Sequence, residues 1–175
     1  MRQGRGDWAQ RWNADRLDSR VTELLRRWPE DPAGAAVLLN GVLRAAAPYS
    51  VLSLAESYRR RHHSLEPLLG AGTDRLVEDS DRYPSGVAAL LTLDRPARLR
   101  EAGLRRLVAS EEPFVLPYLL LRLDDPVDSL RDMAVDAVRH RLRVDGVDVL
   151  VPMAPLLDRL AGRRRAGPLV RALRP

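Results

Sequence analysis

Two stretches of the chain repeat one another. Leu93-Asp94-x-Pro96 is matched by Leu123-Asp124-x-Pro126, and Leu99-Arg100-Glu101 by Leu130-Arg131-Asp132. The offset is 30 residues at the turn and 31 in the segment after it, so the second copy carries one inserted residue. Each copy runs from an apolar segment (GVAALLTL or PFVLPYLLLRL) through an acidic, Pro-containing turn into an amphipathic segment (ARLREAGLRRLVAS or VDSLRDMAVDAVRHRLR). Self-similarity at such a period marks stacked helical units, each of which buries its apolar face on the next. A degraded third copy is expected from Val147, where LVPM parallels the VLPY of 115–118, continuing across Gly162 into RRRAGPLVRAL.

The first half is helical by its own signals. From Asp15, the residues Leu17, Val21, Leu24, Leu25 and Trp28 fall on one helical stripe, with Arg16, Arg20, Arg26 and Arg27 off it and Pro29 as the stop. Asp31-Pro32 reads as a cap followed by Pro at the first helical position, opening a second helix through Ala47. That helix is apolar nearly all round and is expected at the centre of the molecule. A third begins near Ser50, with Val51, Leu52, Ala55 and Tyr58 as its core face. Residues 64–84 are interrupted by Pro67, Gly70, Gly72 and Pro84, which predicts one or two short helices in a long connection. The expected organisation is a flexible arm over 1–13, a helical part over 14–84, and a repeat part over 85–175 continuous with it. Composition agrees, because Ile is absent, Phe114 is the only Phe, and Leu, Val and Ala dominate. The fold class expected is all-α, an α-solenoid of antiparallel helical hairpins with about eight or nine helices.

The block "helix, Asp-x-Pro turn, then Leu-Arg-[Asp/Glu] with small residues following" in LDRPARLREAGLRRLV and LDDPVDSLRDMAVDAV resembles a HEAT repeat, in particular the short bacterial kind of phycobilisome lyases. The resemblance is clearest over 85–143. It implies that Asp94 or Asp125 caps the second helix of its unit. It also implies that Arg100 and Arg131 reach toward a neighbouring turn Asp, with Ala102, Ala134 and Ala137 at the helix contact. Pro96 and Pro126 mark the turns. Gly103 departs from the pattern, as does the extra residue before Leu130.

No residue identifies a reaction. There is no Cys, hence no disulfide, thiolate nucleophile or Cys-ligated zinc. His62, His63 and His140 lack the spacing of a ligand pair; in particular they lack the His-Glu pairs by which the HEAT-type deoxyhypusine hydroxylase family holds iron. The acidic groups (Glu78, Asp79 and Asp81; Glu111 and Glu112; Asp124 and Asp125) sit where acids serve as caps and solvated helix ends. Gly-rich phosphate loops and nucleophile elbows are missing, and GAGTDR at 70–75 reads as a helix stop. No cofactor and no metal are expected.

Contact surfaces remain. All 29 basic residues are Arg and the formal charge is +5; codon usage in a GC-rich genome removes Lys and Ile together and is the simpler account of that bias. The runs Arg59-Arg60-Arg61 and Arg163-Arg164-Arg165 are candidate polyanion contacts. Trp8 and Trp12, spaced i and i+4, are candidate contacts for a partner, while Trp28 belongs to the core stripe. No apolar run approaches the length of a membrane span, and a cytoplasmic location is the expectation. The reading that follows is a non-catalytic scaffold or adaptor for another protein. The alternative is nucleic-acid binding through an Arg-rich surface, akin to the HEAT-like alkylpurine DNA glycosylases, although the repeat helices contain no Trp.

Overall fold

The computed structural model describes the backbone of residues 4–61 and 73–173, with side chains from Arg16 onward except those of Arg61, Thr73, Leu76 and Ser80. Three long helices come first: α1 (Gly4–Arg27), α2 (Pro32–Ala45) and α3 (Pro48–Arg61). Helix α1 buries the stripe Leu17, Val21, Leu24, Leu25 and Trp28. It reaches back to Gly4, so the backbone of residues 4–13 is helical. Asp31 caps α2 as its sequence predicts: the carboxylate accepts from the Gly34 N–H at 2.9 Å, with Pro32 at the first position. Pro48 opens α3 instead of merely ending α2, because a first-turn Pro loses no intrahelical hydrogen bond.

The remaining helices follow one another along the chain. They are α4 (Thr73–Glu78), α5 (Ser85–Leu91), α6 (Ala97–Val108), α7 (Leu116–Arg122), α8 (Asp128–Asp145), α9 (Ala154–Ala161) and α10 (Ala166–Leu173). Single 3₁₀ segments over Ser80–Arg82, Pro113–Val115 and Val147–Met153 join some of them. Among the described residues there is no strand.

Neighbours in sequence pack in pairs, α5 on α6, α7 on α8 and α9 on α10, and α6 also packs on α8. From the other side α2 covers α5, while α3 covers both α7 and α9. Helices α5 and α7 are therefore enclosed by two layers, and every residue of each is buried. This is why SGVAALL and LPYLLLR have no polar face to speak of. The central position expected for α2 belongs to them instead. Helix α2 buries Ala35, Ala36, Leu39 and Leu43 against α1 and α5, and leaves Val37 72% and Leu38 51% exposed.

The departure of Gly103 from the repeat pattern has a steric cause. A Cβ there would stand 2.6 Å from the Ala88 carbonyl oxygen and 2.8 Å from the Leu91 Cβ, so only glycine lets α6 lie this close to α5. Gly103→Ala should separate the two helices and lower stability by about 1–3 kcal/mol, read as a shift of the urea midpoint. An unchanged midpoint would show that α5 and α6 do not approach in this way.

Two buried phenols make stability sensitive to alkali. Burial raises the Tyr118 pKa, and its hydroxyl has no hydrogen-bond partner among the described residues. Burial, with the charges of Asp18 and Asp94, holds Tyr58 well above its ordinary value. In the unfolded chain both ionise near pH 10, while the folded state keeps the protons. Their contribution is thus complete below pH 10 and is lost as pH rises beyond it. Tyr118→Phe should flatten the decline above pH 10 by about 1.4 kcal/mol per pH unit, checked by denaturation at pH 9 and pH 11. An unaltered slope would mean that Tyr118 ionises freely in the native protein.

Candidate functional site

The sequence repeat finds its counterpart in an ion cluster around Asp125, whose side chain is fully buried. Arg100 grips the carboxylate with two nitrogens, Nε to Oδ2 at 2.9 Å and Nη2 to Oδ1 at 3.2 Å. Arg122 Nη1 donates to Oδ2 at 2.9 Å, and the Val127 N–H donates to Oδ1 at 3.0 Å. Arg100 also donates to the carbonyls of Asp94 and Arg95. The Arg of the first unit thus reaches the turn Asp of the second, as the resemblance implies.

Arg131 behaves differently. It stays within its own unit, donating to the Asp125 carbonyl at 2.9 Å and to Asp128 Oδ1 at 2.8 Å. Yet one contact is common to both copies: Arg100 and Arg131 each donate to the carbonyl six residues back, at Asp94 and Asp125. By this anchor the shift between copies is 31 residues from Asp94 and Asp125 onward, which makes Asp124 the inserted residue. Asp124 turns to the α9–α10 connection, where Arg163 Nη1 lies 3.3 Å from its Oδ2.

Neither turn Asp caps a helix. The N-cap positions of α6 and α8 are Pro96 and Val127, without a side-chain capping bond. Asp94 Oδ1 accepts from the adjacent Arg95 N–H, and the Asp125 carboxylate is occupied by two guanidinium groups. Asp125 is likewise no solvated helix end. The small residues Ala102, Ala134 and Ala137 are buried as expected, whereas Pro126 is exposed. Burial lowers the Arg122 pKa to about 10; Asp125 opposes the shift, and the charges of Arg100 and Arg59 add to it.

Most arginines elsewhere are engaged. Arg105 pairs with Glu101, Arg44 with Glu112, and Arg98 with Asp74. Arg106 donates to the Tyr83 carbonyl, and the Tyr83 ring meets Trp28 edge to face at 6.2 Å. Arg59, Arg60, Arg164 and Arg165 are exposed. Trp8 and Trp12 lie on α1 with side chains outside the described residues, as does the side chain of Arg61. His62 and His63 are also outside them, and His140 is exposed on α8. Among the described residues no group of three or more acidic or histidine side chains is placed to hold a metal, and no helix is long and apolar enough to cross a membrane.

A feature that sequence reading missed is a cleft of about 280 Å³ between the C-terminal end of α8 and the segments on either side. Leu116, Val149, Met153, Pro113 and Pro152 form its apolar walls, and Glu111, Arg141 and Asp145 its polar edge. Arg141 is held in place by the Ser110 and Glu111 carbonyls and by Asp145. The Glu111 side chain is exposed and forms no ion pair among the described residues. Nearby in sequence Val144, Val147 and Val151 are 67%, 53% and 70% exposed. The exposed valines in the RVDGVDVLV run were its one visible signal, but three separate segments build the cleft, and their meeting is a tertiary event. No protein-family model, curated protein or solved structure matches the chain.

Asp125→Ala would leave Arg100 and Arg122 buried without their counter-charge and should cost about 3–5 kcal/mol. Arg105→Ala, which removes an exposed pair on the same helix as Arg100, should leave the denaturation midpoint nearly unchanged. Comparable losses from the two substitutions would deny Asp125 its special position.

Proposed function

We propose that the chain is a non-catalytic adaptor, a HEAT-like α-solenoid that docks a segment of another protein. The solenoid part of this reading is supported by the sequential helix pairs and by the Arg-to-carbonyl anchor that recurs after 31 residues. The adaptor part rests on one observation, the cleft between Leu116, Val149 and Met153 with its flanking exposed valines. An apolar recess with a polar edge is the form in which a single anchoring side chain gives most of an interface's energy. The edge adds direction. Arg141 is already neutralised by Asp145 and two carbonyls, which leaves the Glu111 carboxylate for a partner's cation. The occupant is thus a peptide segment with a large apolar side chain followed or preceded by Arg or Lys.

Selection of peptides from a random displayed library on the full chain should enrich that combination. Glu111→Arg should weaken the selected peptides at least tenfold, and Val151→Asp, at another exposed position, should do the same. Selected peptides with no shared apolar-basic pattern, or peptides indifferent to both substitutions, would dismiss the cleft as the docking site.

A further inference from the structure

Two basic runs far apart in sequence meet at one corner of the molecule. The last turn of α3 carries Arg59 and Arg60, and the connection between α9 and α10 carries Arg163, Arg164 and Arg165. Arg163 joins them, with Nη2 3.5 Å from Glu56 Oε1 on α3 and Nη1 3.3 Å from Asp124 Oδ2. Arg59 and Arg60 follow Glu56 by three and four residues, so they neighbour it on the helix surface. Arg59 is also close enough to Arg122 for its charge to be felt there.

The charges at this corner do not balance. Its carboxylates Glu56, Asp124 and Asp125 are engaged by Arg163, Arg122 and Arg100. Among the described residues Arg59, Arg60, Arg164 and Arg165 are left exposed without an ion pair, and Arg122 Nε is buried with no acceptor. Among the described residues the corner also lacks apolar anchors: the large exposed hydrophobic ones are Val37, Leu38, Val108, Val144, Val147 and Val151, none of them on either run. A protein interface is built as an apolar centre with a polar rim. A phosphate backbone instead asks only for cations and donors, which planar guanidinium groups supply in bidentate form.

We propose that this corner binds the phosphodiester backbone of nucleic acid without regard to base sequence. Arg59, Arg60, Arg164 and Arg165 make the contacts, and Arg163 is the positioning residue that holds the two runs together. The proposal is independent of the cleft, which lies on other segments and takes a different ligand.

The test is fluorescence anisotropy of a short labelled duplex titrated with the full chain over a range of salt. Four phosphate contacts predict a slope of log affinity against log salt of about −3 to −4, equal for unrelated sequences. Arg59→Glu/Arg60→Glu/Arg164→Glu/Arg165→Glu should lower affinity at least tenfold and bring the slope near zero. Arg139→Glu/Arg143→Glu, at exposed positions of α8, should bind duplex much more tightly than the fourfold variant. The milder Arg164→Gln/Arg165→Gln pair should roughly halve the slope, which keeps the test open if the fourfold variant does not fold. Poly-glutamate should compete far less well than unlabelled duplex of equal charge. A salt-insensitive affinity, equal losses at the control positions, equal competition by poly-glutamate, or capture by anionic vesicles in place of duplex would each overturn the proposal.

Discussion

A buried carboxylate between two guanidinium groups is the contact around which the second half of this molecule is arranged. Asp125 takes two nitrogens of Arg100 and one of Arg122, while its backbone carbonyl accepts from Arg131. Four positions on α6, α7, α8 and the α7–α8 connection are thereby held to one point. Such a cluster costs desolvation energy and returns little net stability over an apolar alternative. What it supplies is register. Arg100 satisfies its donors only when α6 sits one unit away from the turn at Asp125, so sliding one helix pair along the next would strand buried charge.

Around that point the packing is layered. Helices α5 and α7 form the middle, with α6 and α8 on one side and α1–α3 on the other. The N-terminal helices therefore do more than precede the repeat, since α3 touches both α7 and α9 and carries Glu56 to Arg163. Close approach between layers depends on small residues where they meet. Gly103 against Ala88 is one such place; Gly86, whose N–H donates to Asn40 Oδ1 at 2.7 Å, is another. With the inner helices enclosed, the outside carries an apolar cleft near α8 and a basic corner at the end of α3, two surfaces of opposite chemistry on one small chain.

Much of this was legible in the residues before any coordinates. The stripe from Leu17 to Trp28, the Asp31-Pro32 cap and the paired segments around Pro96 and Pro126 are local patterns, and local hydrogen bonding and helical periodicity decide them. The reach of Arg100 toward the next turn was also legible, through resemblance. Two readings went astray for a common reason. A nearly all-apolar α2 looked central, and Asp94 and Asp125 looked like caps. Each judged a segment by its own composition, whereas its environment comes from elements distant in sequence.

The sequence by itself determined the helices, their stops, and the repeat that brings an Arg and an Asp to equivalent places, because each is set within a few residues of chain. Only the tertiary structure decided which helices are enclosed, which of two adjacent aspartates is buried, and why Gly103 departs from its pattern. The same holds for the meeting of Arg59–Arg60 with Arg163–Arg165 and for the walls of the cleft. These depend on which faces are removed from water together, and burial is a property of pairs of elements, settled when α2 and α3 close over α5, α7 and α9.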